Sequence, residues 1–590
     1  MKKIISLSLV LCLLLSVLIV PVSAEESAYV PDYDRETPVV IVHGMSQNDT
    51  YLLDDNGEWA TDENGNYITG WPLKLDIMAL VKEALGPMLL SMFFKRDMGL
   101  SDAMKRGAYN GLPIIHKDAE GNYELPVEVP CYEYPMGQMT KELREYYYKL
   151  LPLQGLVDIV GGNNVYYFGY DSFGDIIGET ENLHHYIHDV VLPQTGAEQI
   201  SLCFISLGGT IGVNYLETYP EDYDLMKKVE FVVPALDGSD IIGDILTGNL
   251  SVFYDDNVLY EELLVTLLGD TYLSYIINML LRLLPDAVLK DALASLAEGV
   301  VEAGVRSTSI IWALCPTDYY PEARAKWLET DEYTVIREKV DYFMNSRANF
   351  AENIFELKAT GCEIFDICCY GIGMFPLCKD WNKTNGDGIV HATSASMGAA
   401  FADIGTTFGD GYTAQGTYCS DPTHNHISPD NTVDATAGLL PCTTWYVKNQ
   451  AHEKLPNNDV VLQMAFDIMT DRNMKNVYSN PEKYPQFNEG RLVNTVRLYF
   501  AQWDSADKTN MSSADILAVE NAKAEVEKLM AETVVNQAKW LEAEENLRVA
   551  LVNARVIEDT TPGVIETAFT KAMKAFNKSV NSMYAKINSK

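Results

Sequence analysis

The stretch from Ile200 to Ile205 reads as a buried strand and runs directly into Ser206-Leu207-Gly208-Gly209, followed by a helical stretch from Val213 to Tyr219. A strand that bends sharply into a helix at Ser-x-Gly-Gly presents its hydroxyl from strained backbone, and the small neighbours let strand and helix come close. Such a serine can attack a carbonyl if a base takes its proton and N–H donors hold the oxyanion that forms. The Leu207 N–H, at the helix entry, is one candidate donor. The other must come from the loop after an earlier strand. Val39-Val40-Ile41-Val42-His43-Gly44-Met45 provides that loop, with the Met45 N–H as the candidate.

Other groupings could do different chemistry. His184 and His188 lie four apart, as metal ligands on a helix can, but they fall off the apolar face and, with His185, read as solvated. Cys419, Asp421, His424 and His426 are ligand types at close spacing that could hold zinc or another divalent ion. A Cys419–Cys442 disulfide flanked by loop histidines is the plainer and favoured account. Asp430, Asn431 and Asp434 lack the full pattern of a calcium loop. No metal and no cofactor is therefore assigned. Of ten cysteines, Cys12 lies in the first apolar segment, and Cys203, inside an apolar strand, is the candidate buried free thiol. Cys362, Cys368, Cys369, Cys378, Cys419 and Cys442 share one stretch of chain, and the absence of any C-x-x-C pair argues against a zinc knuckle or a thioredoxin-type site.

These residues need a scaffold, and composition bounds it. The chain has 590 residues, with 44 Lys plus Arg against 83 Asp plus Glu, a formal net charge of -39. Nucleic acid and strongly anionic membranes are poor partners for such a field. At 47% hydrophobic and 10% aromatic, the chain can bury a large core and is not disordered throughout. Lys2 and Lys3, an apolar run from Ile4 to Val20 and the small residues Val22-Ser23-Ala24 read as a secretory signal peptide over residues 1–24, which predicts a secreted, extracellular protein, with a leaning to a bacterial source.

Short strands at Val39–Val42, Val165–Phe168, Ile200–Ile205 and Val229–Val233 alternate with helical periodicity, including Glu179–Val191, as in an α/β sheet. Strand signals resume at Glu363–Cys369 and Thr443–Val447, followed by a helix over Asp459–Met469. Insertions at about 50–137 and 240–350 contain apolar helices near Ile77–Phe94 and Tyr272–Leu284; Arg282 and Pro285 leave the second too short and too polar to cross a bilayer. Both are candidates for a cap or lid, or merely for packing on each other and the core. The expected domains are therefore 25–505 and a helical bundle over 506–590, with helices from Ser512, at Trp540–Val556 and at Val564–Ile587.

Strand-His43-Gly44, Phe168-Gly-Tyr-Asp171, Ser206-Leu-Gly-Gly and Asn385-Gly-Asp387-Gly-Ile-Val390, in that order, resemble the α/β-hydrolase superfamily. Within it they are most similar to the lecithin–cholesterol acyltransferase and phospholipase branch, whose acid loop reads Gly-Asp-Gly-x-Val. The resemblance covers roughly residues 36–475. It implies an α/β-hydrolase fold, with a mostly parallel sheet and a large helical cap insertion, and a triad in the chain order Ser206 as nucleophile, Asp387 as acid, His452 as base. Among His391, His424, His426 and His452, all beyond Asp387, only His452 follows the last strand and precedes a helix, whereas His391 shares the acid loop. The family's Gly-x-Ser-x-Gly is broken here: Phe204 stands at the first glycine, and its ring must find room beside the following helix.

The function so implied is that of a secreted serine ester hydrolase acting on acyl esters, with a lipid substrate under the cap and transient contact with a lipid interface. Acyl transfer to an alcohol acceptor uses the same residues. The alternative is a catalytically inactive hydrolase-fold protein that binds a lipid or peptide. The C-terminal helices resemble three-helix modules of Gram-positive surface proteins, which implies a spacer or a cell-surface contact.

Overall fold

The computed structural model describes residues 29–70, 77–268, 272–490, 495–509, 511–531 and 537–557. The expected signal segment 1–24 and the expected helix at 564–587 lie outside these residues. Seven strands form one wholly parallel sheet: β1 (Val39–Val42), β2 (Val165–Phe168), β3 (Ile200–Ile205), β4 (Met226–Val232), β5 (Glu363–Tyr370), β6 (Thr444–Lys448) and β7 (Phe487–Glu489), in the order β7-β6-β5-β4-β3-β1-β2. The chain runs from β1 to the edge at β2, then returns to the other side of β1 with β3. Such a reversal opens a crevice at the carboxyl ends of the two strands on either side of it, where α/β sheets place their ligands.

Both faces of the sheet are covered, so the strands are nearly continuous apolar runs. Val40, Val42, Tyr166, Phe168, Leu202, Phe204, Val229 and Phe231 point to one core. On that side lie α1 (Ile176–His185), whose entry is capped by Asp175 accepting the Ile177 N–H, α2 (Gly208–Thr218) and α3 (Thr334–Ala359). Val39, Ile41, Val165, Tyr167, Ile205 and Ile367 point the other way, against α4 (Asp459–Thr470). The α1 region departs from the single helix expected over Glu179–Val191, because its second half, Tyr186–Val191, widens to a π-turn. Strand β4 begins three residues before the expected Val229. Its early residue Lys228 is charged yet buried, with Nζ donating to the Ile468 and Asp471 carbonyls at 2.7 and 2.8 Å.

The two inserted regions pack on each other around one core of their own. Ile77–Phe94 and Leu100–Asn110 come from the first, and Tyr272–Leu281 and Asp286–Val300 from the second. Ala84, Leu100, Leu250, Leu259, Val288 and Leu289 are buried there, and Phe375 and Leu377, from the segment between β5 and Asp387, pack against them. No helix among the described residues is long and apolar enough to cross a membrane. Near the C-terminus, Thr495–Ser505, Ser513–Ala531 and Gln537–Asn553 are helical and share a cluster built on Val496, Trp503, Val519, Val526, Leu547 and Leu551. The Ser512 hydroxyl accepts the Asp515 N–H at 3.0 Å and donates to its carboxylate at 2.7 Å, so this helix entry is capped by its own first residues.

Candidate active site

Ser206 follows β3 with φ +53°, a conformation that strains any residue with a Cβ. Three backbone bonds hold it there: its N–H donates to the Val232 carbonyl at 3.0 Å, and its carbonyl accepts the N–H groups of Gly209 and Ala235 at 2.9 and 3.0 Å. The bend needs a glycine two residues on, because a Cβ at Gly208 would lie 2.5 Å from the Val42 carbonyl oxygen. Phe204, which stands where Gly-x-Ser-x-Gly would have its first glycine, is fully buried on the α2 side of the sheet. Its ring stacks on Phe231 with centroids 5.4 Å apart and lies against Gly212, where a Cβ would meet three ring atoms at 3.0–3.1 Å. The room the ring needs is therefore made in the helix, and the bend at Ser206 survives.

His452 and Asp387 meet this serine. His452 Nε2 is 2.8 Å from Ser206 Oγ, and its Nδ1 is 2.7 Å from Asp387 Oδ2. The main chains are tied as well, since the His452 N–H donates to the Asp387 carbonyl at 2.9 Å. Asp387 is fully buried, and its Oδ1 accepts the N–H groups of Ile389 and Val390 at 3.0 and 2.8 Å. Both carboxylate oxygens are thus occupied in a way that fixes the plane of the carboxylate. Burial pushes the His452 imidazole toward a lower pKa, but the Asp387 charge and hydrogen bond outweigh it and the net direction is up. An imidazole between a hydroxyl and a buried carboxylate can accept the hydroxyl proton and be stabilised as the cation.

Of the two candidate N–H donors, Leu207 is buried at the entry of α2 and Met45 sits in the turn after β1, partly buried against the core. That turn abuts the serine, since a Cβ at Gly44 would lie 3.0 Å from the Ser206 Cβ. It is braced by residues the sequence did not single out. Gln47 Oε1 accepts the Gly44 N–H at 2.8 Å, the Tyr167 hydroxyl donates to the Gln47 carbonyl at 2.6 Å, and the Tyr170 hydroxyl donates to the His43 carbonyl at 2.7 Å. His43 stacks on Tyr170 with centroids 4.1 Å apart, and its complete burial lowers its pKa to about 4, so it is a neutral brace. On the histidine side, Asn458 caps α4 and donates to Gln450 Oε1 at 2.8 Å, and both are buried. Tyr170 lies within the quoted Phe168-Gly-Tyr-Asp171, so a signal existed for it. Gln47 and Asn458 carried none.

The remaining predicted groups lie elsewhere. His391 sits in the acid loop with Nδ1 3.3 Å from Asp240 Oδ1. His184 and His188 are not simply solvated: they bond the two oxygens of buried Asp222 at 2.9 and 2.8 Å, which also accepts the Tyr215 hydroxyl at 2.5 Å, while His185 is exposed. A carboxylate so fully engaged reads as a structural clamp. Among the described residues the nine cysteines are free thiols, with Cys203 buried.

No protein-family profile matches the chain, and no curated protein matches it. Among solved structures, a chain of the crystal structure of the Tle4–Tli4 complex is similar at 15% identity, over 56% of this chain and 75% of that one, with a TM-score of 0.23. At that distance the likeness assigns neither site nor substrate. The α/β fold with its large parallel sheet is compatible with a hydrolase-like architecture.

Proposed function

We propose that the chain is a serine ester hydrolase of α/β-hydrolase type, with Ser206 as nucleophile, His452 as base and Asp387 as the acid that orients and charges it. The observation that carries this reading is the unbroken hydrogen-bonded line from the strained serine through the imidazole to the buried carboxylate. His452 takes the hydroxyl proton as Ser206 Oγ bonds to the ester carbonyl carbon, and the carbonyl electron pair moves to oxygen, facing the N–H groups of Met45 and Leu207. Collapse breaks the bond to the alcohol, which leaves with the proton from His452. Water then repeats the sequence on the acyl-enzyme, and an alcohol in place of water would give acyl transfer.

The inserted helices support an apolar acyl substrate. The helix Ile77–Phe94 leaves Leu85, Leu89, Leu90, Phe93 and Phe94 exposed, and its end is tied to the second insertion by Lys95 Nζ donating to the Leu283 carbonyl at 3.1 Å. An outward apolar surface of this kind suits contact with a lipid interface. Secretion and a surface-contact role for the C-terminal helices belong to the same proposal and rest on residues 1–24 and on the resemblance of those helices to three-helix modules of Gram-positive surface proteins. A bend spoiled by Phe204 would favour the inactive, binding-only alternative, and the room for that ring at Gly212 supports the active reading.

The test is covalent labelling of the purified chain by a fluorophosphonate, which forms a stable bond only with an activated serine. The wild type should label and release alcohol from short-chain p-nitrophenyl esters, and Ser206→Ala should do neither. Labelling retained in Ser206→Ala would move the nucleophile elsewhere.

A further inference from the structure

Cys442 lies two residues before β6, at the end of the strand remote from His452. Its Sγ converges with Cys419 Sγ, His424 Nδ1 and His426 Nε2, so that all four atoms lie within 4.8 Å of one another. The separations between Cys419 Sγ and His424 Nδ1, Cys442 Sγ and His426 Nε2, and Cys442 Sγ and His424 Nδ1 are 3.4, 3.6 and 3.9 Å. Metal–sulfur and metal–nitrogen bonds of about 2.3 and 2.0–2.1 Å at a tetrahedral centre put sulfur and nitrogen about 3.5–3.6 Å apart. The ring nitrogens that face away from the centre lie near outer acceptors. His426 Nδ1 is 2.8 Å from Gln486 Oε1, and Gln486 is itself fixed by donating to the Pro441 carbonyl at 2.7 Å and the Thr444 carbonyl at 3.1 Å. His424 Nε2 is 3.5 Å from Asp421 Oδ2, and its ring stacks on Tyr478. His426 thus has an acceptor bonded to its outer nitrogen, and His424 a carboxylate beside its own, the arrangement that fixes tautomer and ring plane in metal-binding histidines.

We propose that Cys419, His424, His426 and Cys442 form a closed, four-coordinate structural zinc site. Two thiolates and two neutral imidazoles balance the charge of a divalent ion, and S₂N₂ donors at tetrahedral spacing select zinc over hard cations that prefer oxygen. Binding releases the two thiol protons to solvent. All four donors are used and no position remains for substrate, so the ion's work is to fasten the loop around Cys419–His426 to the start of β6. This account replaces the Cys419–Cys442 disulfide favoured from sequence.

The full chain, reduced, stripped with a chelator and then given Zn²⁺ alone, should retain about one zinc per chain through desalting, with Cys419 and Cys442 protected from alkylation. Co²⁺ in its place should give thiolate charge-transfer absorption. Cys442→Ser and His426→Gln should each lose the ion. Wild type that retains no zinc, or zinc retained equally by Cys419→Ser/Cys442→Ser, overturns the proposal, the latter result pointing to His184, His188 and Asp222 instead. A Cys419–Cys442 disulfide in the protein purified without reductant, with no zinc bound after reduction, overturns it as well.

Discussion

The surroundings of Ser206 and the outer face of the inserted helices use apolar residues in opposite ways. Around the serine the backbone packs closely: Phe204 lies on Gly212, β1 lies against Gly208, and the turn at Gly44 touches the serine itself. On the helix Ile77–Phe94, by contrast, Phe93 is 79% exposed and Leu89 51% exposed. The first region holds three polar groups in register, which demands that nothing nearby be free to move. The second leaves apolar area in water, where it contributes nothing to the fold and is available to something else. The difference separates residues whose substitution should change rate or stability from residues whose substitution should change only what the protein meets.

The strongest blow to the rigid region is Asp387→Asn. The amide keeps the shape but cannot hold the imidazolium, and kcat should fall on the order of 10⁴-fold, as in triads generally. The pH profile supplies the second readout. His452 must be neutral to act as base, and its pKa is raised above 6.5 because Asp387 outweighs burial. Wild-type kcat/KM should therefore fall as pH drops through a value above 6.5. With the charge gone, burial is left to lower the pKa, and the residual activity of Asp387→Asn should persist to lower pH than that of the wild type. An acid limb that does not move would detach Asp387 from the base.

How much of this was legible in the sequence follows from how local each signal is. β1, β2 and β3 read correctly to the residue because they are short apolar runs bounded by turns. The start of β4 was hidden by Lys228, since a charge in a strand normally marks its end and here it is buried with carbonyl partners. β7, at Phe487–Glu489, is too short to show any period and exists through its pairing with β6. Ser206 was legible from the strand it directly follows and His452 from the loop after β6, whereas Asp387 lies well beyond the end of β5 and was marked by the resemblance of its Asn-Gly-Asp-Gly motif. The braces were not: Gln47 and Tyr167 act across more than a hundred residues of chain, and Gly212 matters only once Phe204 is known to face it.

Gly212→Leu tests that packing with a smaller effect. Added atoms must displace the Phe204 ring, and overpacking a filled core costs about 1–3 kcal/mol. Urea unfolding should show that loss, and fluorophosphonate labelling should slow as the bend shifts. Phe204→Ala in the same chain should recover part of the stability, because the two side chains compete for one space. A coupling near zero in the double-mutant cycle would mean that the ring and the helix do not share that space.

The smallest change in stability is expected on the exposed face, and it bears most directly on the substrate. Leu89→Ser together with Phe93→Ser removes two side chains that make little contact with the core, so unfolding free energy should stay within about 0.5 kcal/mol per site. If the face docks on lipid, each lost side chain removes about 1.5–3 kcal/mol of burial at the interface when fully seated, so binding to dispersed substrate should weaken by about tenfold for each 1.4 kcal/mol lost. Comparing hydrolysis of a dispersed long-chain ester with that of a soluble short-chain ester separates the two regions. The double variant should lose activity on the dispersed ester and keep it on the soluble one. An equal loss on both would place these residues with the rigid region, and no loss on either would leave the apolar face without a part in substrate capture.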